Sequence, residues 1–462
     1  MASPTLNSFS LLTLDDVIDA INKQKRGKAS GPDGIHMEAF IFGCRRLFLY
    51  LSIVFNLFLL YDYVLDALQH ATIIPLVKCK TGDLTDVNNY RAIALSNSVS
   101  KILETLLFNF VESQHVADEY QFGFKKSHST ALCKFTDVFK KAVDHYRKNG
   151  SHVFTCFIDF NKAFDNVDYW LLFCKLLDNS TDVSCNLATR LLAYWYSNQI
   201  MCVRWQNTES QYFKIANGVR QGGILSPFLF RFYIRDLIHR VTKSGIGCNY
   251  KGIPINLLAY ADDMVLLAPS WRALQDLLLV VQQAADDIRM SFNTRKTVCM
   301  IFNPCNRRKI VCDSFPAFTL AGCKLLFVQQ FKYLGHFIDN SLSDDADISR
   351  EMKSLFIRTN VLCRRFKRCS TQVKVQLFRS FCVCFYDTAL WCNFTSSAMN
   401  KLASSYCKCI KIFFNVDKYS SVTTMLLNLG LSSFNTLMCN YRFNFARTLS
   451  HCGNSLVKHL SS

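Results

Sequence analysis

The chain has 462 residues, half of them hydrophobic and 39 of them Phe, so it is not a disordered chain. That length leaves room for a large core divided into roughly two or three structural units. Lys and Arg number 53 against 35 Asp and Glu, a formal net charge of +18 that points to a polyanionic partner, nucleic acid ahead of an anionic membrane surface. In chain order, Thr13 reads as the cap of a short helix with Asp15 and Asp16 in its first turn, where the helix dipole favours acidic groups. A basic loop follows and breaks at Gly31-Pro32-Asp33-Gly34. The apolar run Leu47 to Tyr61 contains Ser52 and Asn56 and is shorter than the about twenty residues a bilayer span needs, so it reads as a buried helix. "ATIIPLVK" reads as a strand and "SNSVSKILETLLFNFVESQ" as a helix. "SHVFTCFIDF" is a strand emerging into a turn, with "YWLLFCKLL" as the helix after it. "MCVRWQ" and "QYFKIANGV" suggest a hairpin, and Ser226-Pro227 the N-cap and first residue of a helix. "NLLAYADDMVLLA" is a hairpin with a polar tip. "SWRALQDLLLVVQQAADDI" is amphipathic, with Trp271, Leu274, Leu278, Val281 and Ile288 on one face. Beyond about residue 340 the chain is rich in Lys, Arg, Cys and Phe and reads as mostly helical.

The 21 Cys are scattered and odd in number, and the N-terminus lacks the order of a signal peptide. They read as reduced thiols of an intracellular protein, nuclear or cytoplasmic. Cys382-x-Cys384 and Cys407-x-Cys409 lack the gap and the later partners of a zinc site.

The chemistry centres on Asp262 and Asp263, adjacent carboxylates between two apolar runs. A solvated turn explains them, since Asp favours turns. Asp159, at the end of another apolar strand, supports a different reading: two strand ends bearing carboxylates in a basic protein suit a Mg²⁺ site shared with substrate phosphates. Without a cation, the like charges would repel and a carboxyl pKa would rise.

"YADD", with "FIDFNKAFD" and "GVRQGGILSP", resembles the palm of a reverse transcriptase of the non-LTR (LINE-type) retrotransposons. The resemblance extends in the family's order through "KRGKASGPDGI", "IIPLVKCKTGDLTDVNNYRAIALSNSVSKILE", "QFGFKKSHST", "SFNTRKT" and "FKYLGH", over roughly residues 25 to 340. It implies an α+β right-hand polymerase with fingers, a palm with an antiparallel sheet, and a helical thumb. The implied boundaries are 1–70 for an N-terminal extension and start of the fingers, 71–340 for fingers and palm, and 341–462 for thumb and basic C-terminal region.

Position by position, the resemblance implies that Asp159, Asp262 and Asp263, with the carbonyl of Phe160, hold Mg²⁺, with Mn²⁺ as the alternative. Phe164 matches the aromatic that lies under the sugar and excludes a 2′-hydroxyl, with a plain core aromatic as the other reading. Gln221 and Gly222 match the loop that approaches the incoming nucleotide, and Arg91 and Lys78, ahead of Lys80, the groups that hold its triphosphate. Lys296 matches a Lys that could protonate the leaving pyrophosphate, with a plain surface Lys as the other reading. Tyr333 and Leu334 stand where the family supports the primer end, although a buried strand explains them equally. Lys125, Lys126 and the basic C-terminal part would track phosphate backbones. Asp165 is expected to cap a helix rather than to catalyse. An RNA polymerase would be expected to carry Asp at the position of Phe164 and Gly-Asp-Asp in place of "YADD".

The partners implied are an RNA template, a DNA primer and dNTPs, with no membrane and with other element-encoded domains on a separate chain. The chain departs from the family in Ala92, which stands where Pro is usual, and in lacking Pro before the "IIP" strand. No room for an endonuclease domain and no C-terminal Cys/His knuckle are recognised, so a fragment of a larger element or a truncated reading frame is expected. The competing reading is a non-catalytic nucleic-acid-binding relic.

Overall fold

The computed structural model describes residues 12–113, 118–124, 131–306, 308, 312, 314–385 and 387–461. Helix and sheet are mixed, giving an α+β chain that divides into two compact units. One comprises Met1–Phe124, Phe160–Arg240 and Val281–Asn293; the other comprises Lys125–Asp159, Val241–Val280 and Thr294–Ser462.

In the first unit, Thr13 caps the helix Leu14–Asn22 through a reciprocal capping box with Asp16. The strand His70–Val77 pairs antiparallel with Tyr90–Ser96 on one side and parallel with Ile200–Trp205 on the other. Ile200–Trp205 in turn pairs with the short strands Thr208–Glu209 and Phe213–Lys214, so the expected hairpin forms with its return strand split in two. The helix Ser98–Ser113 buries Ile102, Leu103, Leu106 and Leu107, and Val183–Ser197 buries Leu191, Leu192 and Trp195. The apolar run expected to be a buried helix is the helix Arg45–Tyr61, and it is buried on one face only. Phe55, Phe58 and Leu59 face inward, while Leu49, Ile53 and Leu57 stay in solvent. The helix expected to be capped by Ser226 instead begins at Ser226, with Leu225 in the cap position and no side-chain cap. Its Ser226 hydroxyl is buried.

The second unit holds a sheet in the order Leu326–Phe327, Val298–Phe302, Val153–Ile158, Asp263–Ala268, Leu257–Tyr260. Its central strand, Val153–Ile158, is buried at every position, as expected of a near-continuous apolar run. The helix Ala131–Lys148 lies against it, with the Phe139 ring 5.9 Å from Phe157 and 6.0 Å from Phe302. Helices between Asp345 and Ser461 build a separate apolar cluster around Phe378, Tyr406, Phe413 and Trp391. No helix among the described residues is long and apolar enough to cross a membrane. All 21 cysteines are free thiols.

Candidate active site

The buried strand Val153–Ile158 stops one residue before Asp159. Its last pair is Ile158 with Met264, so the register carried one step further sets Asp159 across from Asp263. Asp263 begins the strand Asp263–Ala268 and pairs with Tyr260, which leaves Ala261 and Asp262 as a two-residue turn. Ala261 has φ +60°, a left-handed conformation that costs a residue with a Cβ about 1–2 kcal/mol. The turn is half-buried rather than solvated. The Asp159 N–H donates to the Thr297 hydroxyl at 3.2 Å, which ties the strand end to the segment leading into Val298–Phe302.

Burial, then the charge of Asp262, then that of Asp159, push the Asp263 carboxyl up to about 7. Below these groups the Tyr333 hydroxyl is buried without a hydrogen-bond partner, and burial followed by the three carboxylates raises its pKa far above the usual range. The three aspartates therefore share one field in a site that gives them little solvent. An all-oxygen donor set at mutually repelling carboxylates fits a hard divalent cation, which would relieve the repulsion.

A different trio places its ligand atoms within 4.8 Å of one another: His336, Asp347 and Asp387. There the protein supplies the positive charge itself. Arg350 donates to Asp347 and to Asp387, each at 2.7 Å; Lys140 pairs with Asp344; and Trp391 Nε1 donates to Asp347 at 2.9 Å. His336 Nδ1 lies 3.1 Å from Asp347 and Nε2 3.8 Å from Asp344. With a guanidinium, an ammonium and an imidazole among the acids, this is a salt network in which a metal would have to displace Arg350.

The loop Gly218–Ile224 belongs to the first unit. Gly218, at φ +91°, is the only residue type that fits its position: a Cβ there would lie 2.7 Å from the Asp165 carbonyl oxygen. Gly218 N–H donates to Val167 O, and Val219 N–H to Phe164 O, both at 2.8 Å, so the loop is stitched to the turn that carries Phe164. Phe164 is half-buried, stacks on Phe230 at 4.6 Å and 14°, and meets Phe124 edge-on at 5.8 Å. Gln221 Nε2 donates to Asp165 at 3.3 Å, and Gly222 is exposed at φ +107°. The expected helix cap, Asp165, is not one. Asp168 caps Tyr169–Asp178 by accepting from Leu171 N–H at 3.0 Å, because the turn after Phe164 runs three residues longer than the sequence suggests.

Lys78, Lys80 and Arg91 are all exposed, and Lys78 Nζ donates to Asn88 O at 2.8 Å. Arg91 sits opposite Leu76 near the outer end of its strand pair. Lys296 is exposed, next in the chain to the Thr297 that holds Asp159. Phe160 is buried, its ring stacked on Phe292 at 5.2 Å. Tyr333 is buried with its ring 4.8 Å from Phe157, while Leu334, at φ +51°, and Gly335 make the turn of the hairpin Gln330–Tyr333/His336–Asp339. Lys125 and Lys126 lie outside the described residues. Sequence reasoning missed Glu104 and Arg220, both buried behind the Gly222 loop. The available signal was a carboxylate set inside the apolar run Ile102–Leu107.

A family profile for reverse transcriptase (RNA-dependent DNA polymerase) matches residues 79–338. An RNA-directed DNA polymerase from mobile element jockey of Drosophila funebris is 27% identical over 383 residues, 80% of this chain and 40% of its own length. Its counterpart from Drosophila melanogaster is 24% identical over 98% of this chain and 49% of its own length. A Retrovirus-related Pol polyprotein from type-1 retrotransposable element R2 of Nasonia vitripennis is 25% identical over 70% of this chain and 30% of its own length. The chain thus spans half or less of the length of these curated relatives. It belongs to the reverse transcriptase family, among the reverse transcriptases of non-LTR retrotransposons.

Proposed function

We propose that this chain performs RNA-templated DNA synthesis, in which the 3′-hydroxyl of a DNA primer attacks the α-phosphate of a dNTP and pyrophosphate leaves. The observation that carries this reading is the convergence of Asp159, Asp262 and Asp263 at two adjacent strand ends, where burial first and then the two neighbouring charges push Asp263 up to about 7. Mg²⁺, or Mn²⁺ in its place, would be held by these three residues and the Phe160 carbonyl, where it would activate the hydroxyl and neutralise the leaving phosphates.

The protein's own groups do the rest. Arg91 as a planar fork and Lys78 as a point charge hold the triphosphate. Phe164 lies beneath the sugar and leaves no space for a 2′-hydroxyl. Gln221 and the exposed backbone of Gly222 meet the nucleotide and template. Lys296 gives a proton to the departing pyrophosphate. Leu334 at its hairpin tip, backed by buried Tyr333, supports the primer end. Lys125, Lys126 and the basic C-terminal helices follow phosphate backbones. Catalysis rests on positioning and charge rather than on a protein nucleophile.

In this reading residues 1–70 open the fingers, 71–340 complete fingers and palm, and 341–462 form the thumb and basic C-terminal region. Purified protein given an RNA template, a DNA primer and either dNTPs or rNTPs, with and without Mg²⁺, tests the proposal. Mg²⁺-dependent extension with dNTPs is the expected result. Extension preferring rNTPs would make it an RNA polymerase, and template binding without any extension would make it a relic.

A further inference from the structure

The turn Gln221-Gly222-Gly223 poses a mechanical problem. Two consecutive glycines give the backbone more freedom than any other pair, yet a turn that reads a nucleotide must hold its place to within a fraction of an ångström. Gly222 has little choice of neighbour, since a Cβ there would come within 3.1 Å of the Ala94 carbonyl oxygen. From one side the turn is pinned by the strand Tyr90–Ser96, where Ala94 N–H donates to Gln221 O at 2.8 Å.

From the other side it is held by a single carboxylate. Glu104, on the helix Ser98–Ser113, is 1% exposed. Its Oε2 accepts from Ile224 N–H at 2.8 Å, and its Oε1 faces Arg220 Nη1 at 3.5 Å. One oxygen thus holds the residue after the turn by a hydrogen bond and the other the residue before it by charge alone, since the Arg220 Nη atoms make no hydrogen bond, and Gly223 N–H closes the turn onto Arg220 O at 3.1 Å. Arg220 cannot swing away. Its Nε donates to Gln199 Oε1 at 2.8 Å, and its guanidinium lies over the rings of Trp195 at 5.1 Å and Tyr196 at 5.7 Å. Arg220 points in, and its neighbour Gln221 points out toward Asp165.

We propose that Glu104, gripping Arg220 and Ile224, is a positioning residue that fixes the Gln221–Gly223 turn for nucleotide binding. The proposal rests on the reading that Gln221 and Gly222 meet the nucleotide. A buried ion pair is weak evidence of stabilisation, since apolar replacements are often as stable. Its value here lies in register: it sets where a glycine pair stands.

The test uses the full chain with Glu104→Gln, Arg220→Lys and the uncharged pair Glu104→Gln/Arg220→Met, which leaves no buried charge unpaired. Three quantities are measured: the KM for dNTP against kcat, the melting temperature, and amide deuterium uptake across residues 218–225. The expected result is a KM for dNTP raised roughly tenfold with kcat at saturating dNTP within about threefold, the pattern of lost ground-state binding. Uptake across 218–225 rises in parallel. In the uncharged pair the melting temperature recovers while KM and uptake stay high. The proposal is overturned if KM recovers together with melting temperature, which would make the pair structural only, or if uptake across 218–225 is unchanged in every variant. Should the wild-type protein extend no primer, the polymerase reading fails, and uptake across 218–225 still decides whether Glu104 holds the turn.

Discussion

In the proposed function a single ring, that of Phe164, sets the choice of sugar. Its stacking on Phe230 and edge contact with Phe124 fix the ring's plane, so truncation opens space beside the turn that carries it. Phe164→Ala is expected to raise the ratio of rNTP to dNTP incorporation at least about tenfold, measured by competing the two nucleotides in one reaction. That ratio does not depend on how much of the variant is folded, because both nucleotides meet the same enzyme molecules. An unchanged ratio would remove Phe164 from sugar selection. The sequence made Phe164 and the aspartates visible because their neighbours form ordered blocks. It hid Glu104 and Arg220 because they meet each other from positions far apart in the chain. The misplaced cap at Asp165 has a local cause: Asp165 and Asp168 both suit a cap, and only the length of the turn decides between them.

Among the elements, the hairpin Gln330–Tyr333/His336–Asp339 is joined to the helix Asp345–Phe366 by charge. Burial pulls the His336 imidazole down, but Asp344 and Asp347 outweigh it, and the net shift is upward even with Lys140 close by. Asp347 moves the other way: burial raises it, while His336 and Arg350 hold it well below the usual carboxylate range. Asp387, also paired with Arg350, is raised by its burial. A raised His pKa stabilises the fold fully below the unfolded value of about 6.5, and that contribution is lost as pH climbs through the folded value. A lowered Asp pKa stabilises above about 3.9 and is lost as pH falls through the folded value. His336 and Asp347 therefore contribute most between about pH 4 and 6.5. Melting temperature is expected to fall by a few degrees from pH 6 to pH 9, and His336→Gln should flatten that slope. An identical slope in the variant would show that His336 stays neutral. The strand Val153–Ile158 and the helix Ser98–Ser113 were legible from their apolar pattern. The one-sided burial of Arg45–Tyr61 was not, because its apolar residues run all round the helix and only tertiary packing selects the inward face.

The net charge of +18 belongs to the molecule as a whole and makes a measurable demand. Affinity for a template–primer duplex should fall linearly on a log–log plot against salt, with a slope of about 0.9 per phosphate contact. Arg364 and Arg365 are exposed near the end of the helix Asp345–Phe366. If they meet the backbone, Arg364→Ala/Arg365→Ala should reduce that slope by about 1 to 2, and an unchanged slope would place the duplex elsewhere. Composition pointed to a polyanion without choosing between nucleic acid and a membrane surface, and it could not say which helix faces carry the charge. The claim on which everything else depends is that Asp159, Asp262 and Asp263 hold a catalytic cation, and Asp263→Asn at pH 8 tests it most directly. At that pH the Asp263 carboxyl, at about 7, is mostly ionised, so the variant removes one of three repelling charges. Melting temperature with and without Mg²⁺ would be read beside primer extension on an RNA template. The expected outcome is a variant that melts a few degrees higher than wild type without Mg²⁺, gains nothing when Mg²⁺ is added, and loses extension by at least about 10²–10³-fold. A variant that keeps wild-type extension, or that is stabilised by Mg²⁺ as much as wild type, would contradict the assignment of these carboxylates as the metal site.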